Sequence, residues 1–431
     1  MTEPKRYVRL NPRFDRDETL SLLNTEIAQQ HSATNGSDDQ KKYPLPVNWL
    51  TPTKDDGQFE FFAIPGDFSL NRSASFQSGR VYGMDVTSGA AVLALLFDTY
   101  DCNKSVKHDD GKESTRDDEL QQLRVLDLCC APGLKLCMLA DLAPLSSTVI
   151  GVDISQNRIQ LCKNIIKKYH TNQVTSGSKD QHDKHASSCH STIRLYCTDG
   201  TKFGTKELSG LAFDSNAEKQ EMQTQGKRKR QNKSARAREK RRLLELQRQE
   251  ISCAADSTNT EQQNVKCDES VSYQPIETND KCCIPLFDRV LVDAECSTDG
   301  AIKHIQKREA SSKAPLWNDS NMGELVDLQK RLIESGFRLL KSGGSLVYST
   351  CSLQETQNEN VVRWLLSKYD DAYIIPVSFN KQNDSQQTPF FIEAGSLAGT
   401  IRFNPLKASS GMTEECLPGT GFFLSKIGKV L

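Results

Sequence analysis

From residue 120 onward, apolar and polar positions alternate in blocks that switch between two periods. Short runs rich in Val, Ile and Leu at 124–128, 148–153, 193–197, 288–293 and 345–350 predict strands. Segments with helical spacing at 134–142, 156–169, 323–340 and 355–368 predict the helices between them. Strands interleaved with helices predict an α/β fold, a doubly wound and mainly parallel Rossmann-like sheet occupying 120–431. Residues 1–100 read as a small mixed α/β unit. It has a strand at Tyr7–Pro12, a helix from Glu18 to Gln30, and a run of small and aliphatic residues from Val86 to Leu96 that predicts a buried helix. Residues 101–119 are charged and contain Gly, which predicts a linker.

Two stretches interrupt this pattern. Residues 171–192 are rich in Ser, Asp and His, and residues 204–285 are polar with a basic centre, from Lys227-Arg-Lys-Arg230 to Arg238-Glu-Lys-Arg-Arg242. Segments this long with little to bury are expected to be disordered insertions in the domain rather than part of its core. The low hydrophobic fraction of 36% agrees. The basic run 227–242 fits a nuclear import signal, an arm on RNA phosphates, or a solvated loop, and the first two together are the preferred reading. A net charge of −1 leaves only such local charge to speak about partners. The fourteen scattered cysteines and the polar start of the chain predict free thiols in a reducing compartment, nucleus or cytoplasm. No apolar run reaches membrane-spanning length, and a monomer is expected.

The chemistry gathers at strand ends. Val125-Leu-Asp-Leu-Cys-Cys-Ala-Pro-Gly-Leu-Lys135 is a strand–turn–helix. Cys129, Cys130, Ala131 and Gly133 keep its turn small, so a ligand can approach the backbone, and the helix from Leu134 aims free N–H groups at an anionic end, with Lys135 adding charge. The next strands end in Asp153 and, beside Cys197, in Asp199. An acid at Asp153 is suitably offset to bind ribose hydroxyls, and Asp199 to meet an adenine edge. The last two strands deliver Asp293 with Cys296, and Cys351. In open α/β sheets ligands bind outside the carboxyl ends of the strands, so two thiols beside a nucleotide-type loop point to covalent chemistry. His182, His185, Cys189 and His190 match no common zinc spacing, and no metal site is assigned; Cys282-Cys283 receives no role.

These segments, with Arg9-Leu-Asn-Pro12, Gly83-Met-Asp-Val-Thr-Ser-Gly-Ala90, Gly151-Val-Asp-Ile-Ser155, Asn157-Arg158, Asp293-Ala-Glu-Cys296, Tyr348-Ser-Thr-Cys-Ser352, Asn358-Glu-Asn-Val-Val362 and Gly419-Thr-Gly-Phe-Phe423, resemble the Sun-type RNA (cytosine-C5) methyltransferases, which use S-adenosylmethionine. The resemblance covers most of the chain outside the two insertions. It implies Cys351 as the thiol that attacks cytosine C6, Cys296 as a helper in product release, and Asp293 near both the methionine amine and cytosine N3. It also implies a cofactor site made of Cys129, Cys130, Ala131, Pro132, Gly133, Leu134, Lys135, Asp153, Arg158, Asp199 and Asp293. Lys135 is then expected on the cofactor carboxylate, Asp153 and Arg158 on the ribose side, and Asp199 on the adenine. The implied partner is RNA, tRNA ahead of ribosomal RNA, recognised by residues 1–100 together with the basic insertion. Import factors are expected on 227–242.

Two positions depart from the family pattern. Leu134 stands where a second glycine is usual, and Glu295 where a proline precedes the cysteine. A carboxylate beside Cys296 is expected to raise its thiol pKa, and could itself serve as the base that removes the C5 proton. Two other classes compete: an RNA-binding factor of the same fold with decayed catalysis, and a methyltransferase for DNA, protein or small molecules. Retention of both cysteines and every strand-end acid argues against the first. The missing Pro-Cys and Asn-Pro-Pro-Tyr type motifs argue against the second.

Overall fold

The computed structural model describes residues 6–32, 43–47, 50, 60–97, 122–144, 146–171, 191–205, 210–217, 286–301, 317, 320–377, 379, 392–404 and 420–431. The expected linker at 101–119, the basic run 227–242, the cluster from His182 to His190, Cys282-Cys283 and most of both insertions lie outside these residues, whereas Leu211–Asp214, expected to be part of a disordered insertion, is a strand paired with Thr192–Cys197.

The N-terminal part contains β1 (Arg6–Leu10), α1 (Arg16–Ser32), β2 (Leu45–Pro46), β3 (Phe61–Ile64), α2 (Ala74–Gln77), β4 (Val81–Gly83) and α3 (Val86–Leu96). Its four strands form an antiparallel sheet in the order β2-β3-β1-β4. Val8 and Leu10 of β1, Leu23 and Ile27 of α1, and Phe62 and Ile64 of β3 share one buried cluster. α3 starts on Asp85, whose side chain accepts from the Thr87 N–H, a regular N-cap. Nine of its residues are buried, which suits a helix of small side chains packed closely between neighbours.

The larger part follows as β5 (Arg124–Asp127), α4 (Leu134–Leu142), β6 (Thr148–Asp153), α5 (Gln156–Ile166), β7 (Thr192–Cys197), β8 (Leu211–Asp214), β9 (Phe287–Asp293), α6 (Met322–Arg338), β10 (Leu340–Thr350), α7 (Glu359–Lys368), β11 (Ala372–Ile375), β12 (Ile392–Ala394), β13 (Ile401–Phe403) and β14 (Phe422–Lys429). These strands make one ten-stranded sheet in the order β12-β13-β14-β10-β9-β5-β6-β7-β8, with β11 paired to β14. The centre, β10-β9-β5-β6-β7, is parallel, and both flanks are antiparallel. Two apolar clusters cover the two faces. One gathers α3, α4 and α5 over residues such as Val125 and Val347, and the other gathers α6 and α7 over Val290, Val292 and Leu346. Parallel strands buried on both faces read as near-continuous apolar runs, which is why the sequence marked them so clearly.

Three boundaries differ from expectation by three residues or more. The helix expected to 169 ends at Ile166 in a π-turn, Lys167–Thr171. The helix expected over 355–368 is a 3-10 turn, Glu355–Gln357, followed by α7. Between them the Asn358 side-chain amide is held by Thr350 Oγ1 and the Ser352 carbonyl. β10 begins at Leu340, earlier than expected, and its register against β9 shifts between Leu340 and Ser345, where Gly343 has φ +74°.

The two sheets meet across a buried ion cluster. Arg9 of β1 donates to Asp141 Oδ2 of α4 at 2.8 Å, and neither side chain is exposed. Arg13 and the Tyr82 hydroxyl donate to the same carboxylate, and His170 lies 3.4 Å from it. Among the described residues no helix is long and apolar enough to cross a membrane, and no cluster of His, Cys, Asp or Glu is placed to hold a metal ion.

Candidate active site

The parallel centre of the sheet puts the carboxyl ends of β5, β6, β7, β9 and β10 on one edge. β9 and β10 are neighbours in register, with Asp293 opposite Ser349, so the residues just beyond each strand emerge side by side. Cys296 follows β9 by three residues and Cys351 follows β10 directly, and their sulfurs lie 3.1 Å apart. Both line a cavity of about 820 Å³, shared with Cys129, Ala131, Asp153, Arg158, Asp199 and Asp293.

A smaller cavity of about 200 Å³ adjoins it, lined by Cys130, Pro132, Leu134 and Lys135 of the loop, by Asp127, and by Gly83, Met84, Asp85 and Ser88 from the N-terminal part. Cys129, Ala131 and Asp293 face both cavities. Gly133 lines neither. It caps α4 at φ +108°, and a Cβ there would sit 3.3 Å from the Cys162 backbone. Cys130 is buried under the loop, 4.0 Å from the Cys162 sulfur, as expected for a small hydrophobic filler. At Leu134, where the family pattern has glycine, the side chain is the first residue of α4 and is half-buried against the apolar cluster.

The strand-end acids differ in how they are held. Asp293 is clamped, accepting from Lys135 Nζ at 2.7 Å on one oxygen and from the Ser349 hydroxyl at 2.8 Å on the other. Asp153 accepts from the Ser155 N–H at 2.9 Å and pairs with Arg158 at 3.4 Å, while Arg158 also donates to the Ala131 carbonyl. Burial would raise the Asp199 pKa, but the hydroxyl and N–H of Thr201 together with Lys202 lower it below the usual range. Asp127 is the exception. It is 1% exposed, no side chain hydrogen-bonds to either oxygen, and burial followed by the charge of Asp293 pushes its pKa up to about 8, against the pull of Lys135 and the Cys129 N–H.

The two thiols share one interaction unequally. Their hydrogen bond raises the Cys351 pKa, with burial adding to it. The same bond lowers that of Cys296, against its burial, and the N–H groups of Thr298 and Cys351 lower it further. The expectation that Glu295 raises the Cys296 pKa is therefore corrected. Glu295 is exposed, and the Trp317 indole N–H donates to its carboxylate at 3.2 Å. Glu295 and Trp317 line the same cavity as the two thiols.

Several lining residues were not assigned to the site from the sequence: Asp127, Leu128, Ile154, Gly200, Trp317, Leu328 and Leu332. Asp127 could have been found as the acid at the end of the loop strand. Leu328 and Leu332 could have been found as an i, i+4 pair on α6 pointing toward the sheet's carboxyl edge. Trp317 carried no local signal.

Residues 228–427 match the family described as 16S rRNA methyltransferase RsmB/F. The protein is 44% identical over 87 residues to Ribosomal RNA small subunit methyltransferase F of Shewanella piezotolerans, 20% of this chain and 17% of that one. It is 35% identical over 151 residues to the protein of the same name in Shewanella pealeana, 33% of this chain and 25% of that one. The chain's match thus spans a quarter or less of the length of these relatives. Among solved structures, NSun6 from Pyrococcus horikoshii, crystallised with SFG, superposes with a TM-score of 0.51 at 15% identity, over 100% of this chain and 92% of that one, a likeness of fold. The family match thus takes in β9, β10 and both thiols but under half of the chain, and the two-cysteine strand ends, the strand-end acids and the loop between β5 and α4 are assembled on one sheet of similar fold.

Proposed function

We propose that the protein methylates C5 of a cytosine in RNA, using S-adenosylmethionine, through a covalent bond from Cys351 to C6. The observation that carries this reading is the pair of thiols 3.1 Å apart in one cavity with the strand-end acids. Cytosine C5 is too poor a nucleophile to accept a methyl group unaided. Addition of a thiolate across C5=C6 turns it into an enamine carbon, splitting one hard step into two easier ones. Cys351 gives up its proton to solvent water as the sulfur–C6 bond forms, and Asp293, held between Lys135 and Ser349, favours a proton at N3 as charge develops. After methyl transfer the C5 proton leaves to a base and the sulfur–C6 bond breaks, with Cys296 assisting that elimination.

The residues present fit the cofactor. Asp127 offers a buried carboxylate with no side-chain hydrogen-bond partner to the smaller cavity, a natural seat for an ammonium group. Asp153 lies at a strand end suited to ribose hydroxyls, and Asp199 stands by the apolar pair Ile154 and Leu332, where a base plane fits. When bound, the cofactor supplies an electrophilic methyl group. SFG, found with the Pyrococcus protein, is an S-adenosylmethionine analogue, which supports this choice.

The RNA class carried forward from the sequence is tRNA. The names of the relatives, Ribosomal RNA small subunit methyltransferase F, favour ribosomal RNA as a second reading. On this proposal the protein acts as a monomer, and the basic run 227–242 serves nuclear import or RNA contact.

A denaturing gel with labelled RNA and cofactor tests the mechanism. Cys351→Ala should abolish methylation and form no adduct. Cys296→Ala should methylate about once per enzyme and remain attached to its RNA. Adduct from Cys351→Ala alone reverses the roles. No adduct from either variant, with both active, removes the covalent mechanism.

A further inference from the structure

The strand ladder stops short of the Cys296 thiol. The pairing of β9 with β10 runs to Asp293 opposite Ser349, and one further bond links the Ala294 N–H to the Ser349 carbonyl. Beyond it the chain runs through Glu295, Cys296 and Ser297 into Thr298, whose φ of +57° is unusual for a β-branched residue and persists only where the surroundings enforce it. Proline, the family's residue before this cysteine, would fix the backbone here, and this chain has Glu295 instead.

Two buried amides occupy the two sides of the gap. Gln329, on the inner face of α6 and 0% exposed, donates from Nε2 to the Glu295 carbonyl at 2.8 Å. Gln357, in the turn before α7 and also 0% exposed, accepts from the Ser297 N–H at 3.0 Å and donates to the Ser297 hydroxyl at 2.8 Å. The two amides are joined, Gln329 Nε2 to Gln357 Oε1 at 3.2 Å, and Gln357 is anchored through its own carbonyl, which accepts from the Tyr348 hydroxyl at 2.6 Å. The residues before and after Cys296 are therefore gripped from the helical layer, and its sulfur is directed at Cys351.

The geometry points to Gln329 and Gln357 as positioning residues that set the Cys296 thiol against Cys351, doing by side-chain hydrogen bonds what a fixed proline backbone would do. Neither amide lines the cavity, so their effect reaches the reaction through the backbone they hold on both sides of Cys296. The inference rests on the proposed two-thiol chemistry, in which that sulfur acts at product release. Loss of the bracket should spare cofactor binding and adduct formation and slow release.

The first measurement needs no RNA. Alkylation of the folded protein by iodoacetamide, with each cysteine quantified by peptide mass spectrometry, should show Cys296 reacting about fivefold or more faster in Gln357→Ala, because a freed loop exposes a buried thiol; Cys351 should change by less than about twofold. The second is kinetic. Gln357→Ala should keep single-turnover methylation within about threefold of the parent and lower steady-state turnover about tenfold, while denaturation-resistant adduct accumulates. Gln357→Glu supplies the pH readout. Its protonated carboxyl has one donor and one acceptor, like the amide, so turnover should approach the parent's at low pH and fall as the carboxyl ionises. Gln329→Leu, which keeps the volume, gives the same readouts should Gln357→Ala fail to fold. Unchanged Cys296 alkylation in the folded variants overturns the inference. So does an equal rise at both cysteines with weakened cofactor binding, which marks general loosening. Absence of adduct from the parent itself counts against the methylation reading, and the alkylation ratio then still decides the positioning role.

Discussion

Asp127 is the side chain whose charge the smaller cavity governs most directly. Buried, without a side-chain hydrogen-bond partner and close to Asp293, it holds a proton up to about pH 8, whereas an ordinary carboxyl releases it near 3.8. An acid raised in this way stabilises the fold fully below the unfolded value, and that contribution is lost as pH rises through the folded one. A cation brought into the cavity would lower this pKa again, so a proton must leave as it binds. On the proposed reading, binding of S-adenosylmethionine at pH 7 should release about one proton. Asp127→Asn should release almost none and bind more weakly. Titration calorimetry in buffers of different ionisation enthalpy checks this, and a buffer-independent enthalpy for the parent protein would remove the assignment. At this scale the sequence spoke through charge and position. Acids and cysteines at strand ends were visible because parallel strands are nearly all apolar, so a polar tip stands out. Gln329 and Gln357 were not visible, since a buried amide and a solvated one look alike until the partner carbonyl is known.

Among the elements, the turn from β5 into α4 is the one most sensitive to a single methyl group. Gly133 caps the helix at φ +108° with the Cys162 backbone behind it, so Gly133→Ala combines backbone strain with a close contact. It should cost about 1–3 kcal/mol in urea unfolding and weaken cofactor binding along with it. Gly323 provides the contrast. It lies in the first turn of α6, where a Cβ meets nothing within 4 Å, and Gly323→Ala should be neutral or stabilise by up to about 1 kcal/mol. The central strands and their helices were legible because burial on both faces imposes a period that composition cannot imitate. β8, β11, β12 and β13 were not. They are three or four residues long and pair antiparallel on the flanks, where neighbours rather than their own sequence decide whether they are strands.

Across the whole molecule, the cluster around Asp141 decides whether the N-terminal sheet and the large sheet act as one body. The two fall within a single compact unit. Burial alone would raise the Asp141 pKa, but Arg9, His170 and Arg13 outweigh it and hold it below the usual carboxylate range. A depressed acid contributes stability above its unfolded pKa of 3.8, and that contribution is lost as pH falls through the folded value. Asp141→Ala leaves Arg9 buried without its acid and should cost about 3–5 kcal/mol. Disrupting the exposed pair Arg16–Glu60 should cost under about 1 kcal/mol. Urea unfolding of both variants at neutral pH checks the contrast. Equal costs would mean that the cluster does not join the sheets. Arg9 was part of a legible motif, yet its partner, 132 residues away in sequence, was not, because no local pattern pairs residues across two sheets.

β8 runs antiparallel to β7, so its last residue, Asp214, comes to rest beside Arg194, near the start of that strand. β9 begins at Phe287 on the same side of the sheet. The chain therefore departs and returns at the pole away from Cys296 and Cys351. Between β8 and β9 lie β5, β6 and β7, four strand spacings or about 19 Å, a gap that about six extended residues could bridge. Residues 218–285 far exceed that need. Because the free energy of closing a loop grows only slowly with its length, the spacing of β8 and β9 sets no upper limit on the length of chain joining them, and a reporter spliced in there would leave that spacing unchanged.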